Sequence, residues 1–427
     1  HRGPDGQDAF VSGPLAMGHW HFWTTPEEVG ERQPLKVDGL PFRLVFDGRL
    51  DNREDLLAAL SISSEKGRLL SDAALVLRAY AAWGQACAER FIGEFALVLF
   101  DEYQHTLFCA RDQFGLRSLF YIRWGSFVCI ASEPWALTSL FNSSTAISEI
   151  AVAHYFALLA PIDGQTFFQD IYELLAGHSM QVSESNTHIW QYWQPDVNHK
   201  IHYKDENEYA EHFFELIQES VHCRMRAPKQ AGILMSGGLD STTIASIAAR
   251  LSAPTELSTF SYVFDQYPES DERAYIHEIQ RHYATRSVEI LCDDLWPFAN
   301  WPEWPRDKNH PAANFYFPIR QRLHHTAQKK GIRVLLLGNY GDELYSHDND
   351  WFADLLFDGR VDIAFQEFFF HLKTPIFRKK MLQVYFRRFI RRLFDKICGG
   401  KQAWGKIVIP AWLTIEAAEM IVPAIRV

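Results

Sequence analysis

The stretch that most limits how this chain can fold is Ile233-Leu234-Met235-Ser236-Gly237-Gly238-Leu239-Asp240-Ser241-Thr242-Thr243-Ile244. It opens with an apolar run long enough for a buried strand. Two glycines follow, then apolar residues at helical spacing: Leu239, Ile244, Ile247 and Leu251. Strand, Gly-Gly turn and helix together are how an α/β sheet builds an anion site. Glycines let backbone N–H groups come close to a phosphate, and a helix N-terminus adds partial positive charge. Ser236, Ser241 and Thr242 supply hydroxyl donors. Asp240 puts a carboxylate beside the phosphate position, which suits a divalent cation between the two. The bland alternative is a Gly-Gly turn closing an ordinary βα unit. The serines, the aspartate and the strand–helix context favour the anion site. The Walker A spacing and its lysine are absent.

The chain has 427 residues, enough for two or three domains that each bury a core. A formal net charge of −11 argues against a nucleic-acid surface as the main function. No apolar run has the length of a membrane span, and no signal peptide is visible. The cysteines at 87, 109, 129, 223, 292 and 398 form no C-x-x-C pair, which fits reduced thiols in a cytoplasmic protein. The first residue is His1, so truncation at the start is expected.

Two grammars follow one another along the chain. Short segments rich in aromatic and β-branched residues predict strands at Leu15–Trp23, Phe42–Asp47, Phe95–Asp101, Thr106–Arg111, Ser118–Arg123 and Phe127–Ala131. Helices are expected at Arg53–Ala59 and Ser71–Trp83, the second capped by Ser71 or Asp72, with Ala74, Leu75, Leu77 and Tyr80 facing inward. Tyr192–Tyr203 is polar and irregular and reads as a junction. Beyond it a helix at Glu208–Arg224 leads into the glycine loop. Then come a strand (Leu257–Phe264), a helix (Asp271–Ala284), a strand (Ser287–Leu291), a helix (Phe315–Lys330) and a strand (Val334–Leu337). Strands alternating with helices imply a parallel, doubly wound sheet. From Val361 the tail reads as helical, and its basic run Arg387–Arg392 suits either a solvated face or anion binding.

A second loop, Gly338-Asn339-Tyr340-Gly341-Asp342-Glu343, follows the last strand. Ligands of doubly wound sheets bind at the carboxyl ends of strands. Asp240 and Asp342 are therefore expected to share a pocket and to hold Mg²⁺ against a triphosphate. Read alone, Asp342-Glu343 is also what the dipole of a helix N-terminus favours.

The Ser236–Ser241 loop resembles the pyrophosphate loop of the ATP pyrophosphatase superfamily. The chain as a whole resembles the asparagine synthetase family. In the first half the resemblance rests on His1-Arg2-Gly3-Pro4-Asp5, Gln33-Pro34-Leu35, Phe91-x-Gly93-x-Phe95-Ala96, Ala110-Arg111-Asp112-x-x-Gly115 and Ala131-Ser132-Glu133. In the second half it rests on the two loops. It implies a class II glutamine amidotransferase domain at 1–195, an N-terminal-nucleophile αββα sandwich. At 205–427 it implies an ATP-pyrophosphatase synthetase domain with a helical tail. Both domains are expected to lack terminal parts.

The activity it implies is glutamine hydrolysis coupled to adenylation of a carboxylate, with ATP and Mg²⁺. Leu234, Val263, Leu337 and Gly338 would contact adenine or ribose. Ser236, Gly237, Gly238, Leu239, Asp240 and Ser241 would hold the pyrophosphate, with Asp240 and Asp342 as catalytic metal carboxylates. Glutamine would meet His21, Asp47, Gly48 and Asp72.

The chain departs from the family pattern at several points. The nucleophilic cysteine should precede His1, and the late lysine segment should lie beyond Val427. His21 stands for an arginine, Asp47 for an asparagine and Asn339 for a glutamate. Leu50–Arg53, Trp23–Glu27 and Asn339–Gly341 resemble lasso-peptide macrolactam cyclases and β-lactam synthetases. The acceptor is thus expected to be a small-molecule or peptide carboxylate. A ring-closing cyclase with a degenerate glutaminase half and an inactive scaffold are the competing readings.

Overall fold

The computed structural model describes residues 2–140, 146–157, 159, 162–184, 186–283, 285–311, 314–341, 344, 355–356 and 359–365. The chain divides into two compact units, one ending its main run at Gly338 and one beginning at Asn339. In the second unit the described residues include a helical turn at 361–365, with Ala364 buried. Asp342, Glu343 and the basic run 387–392 lie outside the described residues.

The first unit opens with a hairpin of β1 (Gln7–Ser12) and β2 (Leu15–Trp20). Then come β3 (Phe42–Leu50), the helices α1 (Arg53–Ala59), α2 (Ser64–Gly67) and α3 (Asp72–Trp83), β4 (Gly93–Asp101) and β5 (Thr106–Arg111). They are followed by β6 (Phe120–Trp124), β7 (Phe127–Ala131), α4 (Pro134–Leu140), α5 (Glu149–Phe156), β8 (Tyr172–Glu173), β9 (His178–Val182) and β10 (Thr187–Gln191). One antiparallel sheet has the order β10-β9-β5-β4-β3 and another β7-β6-β8.

Alternating side chains on β4 build two layers at once. Phe95, Leu97 and Leu99 face α3, where Leu75, Leu77 and Tyr80 meet them. Ala96 and Val98 face the second sheet and join Cys109, Met180, Leu119, Tyr121 and Ile130. On that sheet's far side Ile122, Cys129 and Ala131 cover Leu137 of α4. Helix, sheet, sheet, helix is the αββα sandwich expected above. Each fully buried Phe or Leu contributes about 1.5–3 kcal/mol, so the layers hold without a disulfide. The cysteines at 87, 109, 129, 223 and 292 are free thiols, and Cys398 lies outside the described residues.

Residues 192–204 form neither helix nor strand. The second half follows with α6 (Glu206–Arg224), capped by Asp205, then β11 (Ala231–Leu234) and α7 (Leu239–Ser252). Next come β12 (Leu257–Val263), α8 (Arg273–His282), β13 (Thr285–Leu291), α9 (Phe317–Lys329) and β14 (Val334–Leu336). All pairings in this sheet are parallel, in the order β13-β12-β11-β14. The chain steps outward from β11 to β13, then returns to the other side of β11. The order therefore reverses between β11 and β14, where a doubly wound sheet opens its ligand crevice.

The face of α7 corrects one expectation. Leu239 is 84 % exposed and Leu251 is 39 % exposed, while Ala245, Ile247, Ala248 and Ala249 are buried. Small alanines let the helix lie close to the sheet, and Leu239 stands at its open end. Among the described residues no helix is long and apolar enough to cross a membrane.

Candidate functional site

The loop after β11 is held by its own hydroxyls. Ser241 Oγ accepts the Ser236 N–H at 3.0 Å and lies 2.8 Å from Ser236 Oγ. Ser236 Oγ accepts the Gly238 N–H at 3.3 Å, and Thr242 Oγ1 donates to the Gly238 carbonyl at 2.9 Å. The start of α7 has Gly238 as its cap residue and no side-chain cap. The orphan N–H groups that begin any helix are thus left for an external acceptor. Gly237 N–H is engaged by Glu272 Oε2 at 2.9 Å.

Gly338, two residues after β14, meets this loop directly. A Cβ on Gly338 would stand 2.8 Å from Ser241 N and 3.0 Å from the carbonyl carbon of Asp240. Only glycine allows that approach. Gly338 is therefore packed on the Asp240–Ser241 backbone at the switch point. Leu234 is half-buried at the end of β11, Val263 is buried at the end of β12, and Leu337 is exposed beyond β14. The Val263 carbonyl accepts the Cys292 N–H at 3.0 Å. Asp240 is half-buried in the first turn of α7. Its expected partner Asp342 lies outside the described residues. Among the described residues no group of three His, Cys, Asp or Glu gathers to hold a metal ion. A magnesium ion that rides on phosphates needs only one or two carboxylates, so Asp240 fits such an ion.

In the first half, Asp47 on β3 pairs with Arg117 at 3.4 Å. His21 is fully buried; its Nε2 bonds Asp8 Oδ2 at 2.9 Å, and its Nδ1 lies 2.9 Å from His19 Nδ1. The bond from His21 draws the Asp8 carboxyl below its usual range. Burial, with His21 close by, pushes the His19 imidazole down to about 4. Asp72 at the start of α3 is fully buried. It accepts the Leu50 N–H at 2.9 Å, Arg53 Nη1, and both Arg226 nitrogens at 3.1 and 2.5 Å. Arg226 also donates to the Leu50 carbonyl at 3.0 Å. A second bridge joins the two halves: Arg333, just before β14, donates to both oxygens of Asp5.

Comparison with known proteins matches this order of parts. A glutamine amidotransferase domain model matches residues 1–193, and an asparagine synthase model matches residues 212–406. The chain belongs to the asparagine synthetase family. Glutamine-hydrolysing asparagine synthetase 3 of Bacillus subtilis is 28% identical over 251 residues, 58% of this chain and 40% of that protein. Amidase chyE of Penicillium rubens is 24% identical over 383 residues, 83% of this chain and 54% of that protein. Glutamine-hydrolysing asparagine synthetase 1 of Bacillus subtilis is 24% identical over 359 residues, 82% of this chain and 55% of that protein. The chain thus spans about half the length of these curated relatives.

Within this asparagine synthetase-family chain, two of the residues expected to meet glutamine are engaged by the protein's own groups. Asp72 has its carboxylate oxygens bonded by two arginines and a backbone amide. His21 is tied to the Asp8 carboxylate and to His19 and is almost closed to solvent. Asp47 is half-buried beside Arg117, a cation that it shares with Glu94. Gly48 follows it on β3, with its Cα against Glu94 and Phe95 of β4.

Four residues escaped sequence reasoning: Arg226, Arg117, Asp8 and Glu272. Each acts on a partner distant in sequence, and lone charged residues outside motifs carry no local signal.

Proposed function

We propose that the protein is an ATP-dependent carbon–nitrogen ligase. Residues 1–195 form its amidotransferase-like domain and 205–427 its synthetase domain. ATP adenylates a small-molecule or peptide carboxylate with release of pyrophosphate, and an amine then displaces AMP to form an amide. A carboxylate oxygen is a poor leaving group and AMP a good one, which is the reason for spending the nucleotide.

The observation that carries this reading is the contact of Gly338 with Asp240 and Ser241 at the switch point. The Ser236–Ser241 loop would cradle the pyrophosphate through backbone N–H groups and the Ser236 and Ser241 hydroxyls. Leu234, Val263, Leu337 and Gly338 would line the nucleoside. Asp240, with Asp342, would hold Mg²⁺, which supplies charge neutralisation on the phosphates. Binding is expected in the cytoplasm, where ATP is abundant.

The saturation of Asp72 favours the ring-closing cyclase as the second reading, because it removes a site for glutamine's ammonium. On that reading the amine belongs to the acceptor itself, and the first half serves as a packed base for the second.

The test is product analysis with full-length protein, Mg²⁺ and candidate aspartate or peptide acceptors, with and without glutamine. AMP and pyrophosphate are expected, with little glutamate released from glutamine. Asp240→Asn and Asp342→Asn should each cut turnover by a factor that a lost metal contact worth several kcal/mol implies, about a hundredfold or more. ADP and phosphate as products, or full rates in both variants, would refute the proposal.

A further inference from the structure

Among the described residues, the carboxylate bonded to the proposed phosphate loop comes from outside it. Glu272 closes the segment between β12 and α8, and its Oε2 accepts the Gly237 N–H at 2.9 Å. The contact is built into the fold. A Cβ on Gly237 would lie 3.0 Å from the Tyr275 Cβ and 3.1 Å from the Glu272 Cβ, so the start of α8 presses on the glycine itself. Ile276, one turn along, is fully buried in the core with Ile247 and Leu257, which anchors α8 against the sheet. The neighbouring Arg273 is committed to Asp265 and Asp271, so it does not neutralise Glu272.

A carboxylate oxygen on a backbone N–H of this loop stands where a phosphate oxygen would bond. Resting on the nucleotide reading above, we propose that Glu272 is a specificity-determining residue that makes the loop prefer metal-complexed nucleotide over bare phosphate anions. A bare anion must displace the carboxylate from Gly237 and then sit beside its negative charge. A magnesium complex carries less charge, and its cation screens the displaced carboxylate, so it meets a smaller penalty. The preference thus comes from the repulsion of a carboxylate held on the Gly237 N–H rather than from a dedicated metal cage.

The experiment is titration calorimetry on full-length protein with three probes: ATP with excess Mg²⁺, ATP with EDTA, and inorganic pyrophosphate with EDTA. Glu272→Ala keeps the Cβ that packs on Gly237 and removes only the carboxylate. Glu272→Gln keeps an acceptor for the Gly237 N–H and removes only the charge. Both variants are expected to tighten the two metal-free probes about three- to tenfold, the range of one modest hydrogen-bond or charge term. The magnesium complex should change less, so the preference shrinks. An unchanged preference in Glu272→Ala would overturn the inference. So would weaker binding of all probes, which would make Glu272 a direct contact. A Glu272→Gln variant that behaves as the unaltered protein would also overturn it, since charge would not be the selector. If the unaltered protein binds none of the probes, the nucleotide reading falls and this inference with it.

Discussion

Truncating Arg226 to alanine tests how the two halves are joined. Asp72 is fully buried and accepts donors from Arg53, Arg226 and the Leu50 amide. The variant removes two charged donors from that carboxylate and one from the Leu50 carbonyl. Removing one partner of a buried ion pair typically costs about 3–5 kcal/mol, because a charge is left buried without compensation. Arg53 and the Leu50 amide stay on Asp72, so the lower end of that scale, about 3 kcal/mol, is expected. The measurement is a cycle of Arg226→Ala, Asp72→Asn and the double variant. Urea unfolding reports the whole, and hydrogen exchange of the Leu50 amide reports the site. Once Asp72 is neutral, losing Arg226 should matter much less, so the double variant should fall short of the sum by about 1.5 kcal/mol or more. Additive effects, or an Arg226→Ala cost below about 0.5 kcal/mol, would show that this bridge does not hold the halves together.

Two further outcomes follow from the geometry. Gly338→Ala would push a methyl to 2.8 Å from Ser241 N; it should cost about 1–3 kcal/mol as overpacking and abolish pyrophosphate release, and a fully active variant would break the link between the two loops. Burial, with Asp72 and Glu31 adding to it, raises the Glu28 carboxyl from 4.5 to about 7, against N–H groups of Thr24 and Thr25 that lower it. A raised folded value means that its stabilisation is complete below about pH 4.5 and is lost as pH rises through 7, by up to about 3 kcal/mol. Melting temperature should therefore fall between pH 5 and 8 by more in the unaltered protein than in Glu28→Gln, and equal slopes would refute the assignment.

Local chemistry made much of the architecture legible in the sequence. Hydrophobic alternation marked β3 to β7, and β5, β7 and α1 run between the same residues as expected. The Ser71 cap on α3 was readable because its side chain accepts from Ala74, three residues on. The glycine loop was readable for the same reason: strand end, Gly-Gly turn and helix start are neighbours in the chain. The helices α2, α4 and α5 escaped, and so did the strands β1, β8, β9 and β10. The last two complete the large sheet, but polar residues such as His178, Gln181 and His188 break their pattern. Pairing with β5 makes the first of them a strand, and propensity does not.

The sequence by itself determined a largely antiparallel first half, a doubly wound second half and the loops that carry the proposed nucleotide chemistry, while the αββα sandwich came from the family resemblance. Tertiary structure alone decided what the charged residues do. Asp72 and Arg226 are 154 positions apart and Asp5 and Arg333 are 328 apart, far beyond the reach of local rules. Whether a carboxylate meets a substrate or an arginine depends on which surfaces the domains bury against each other. Burial then decides the outcome, because a charge removed from water must take the nearest partner that can satisfy it.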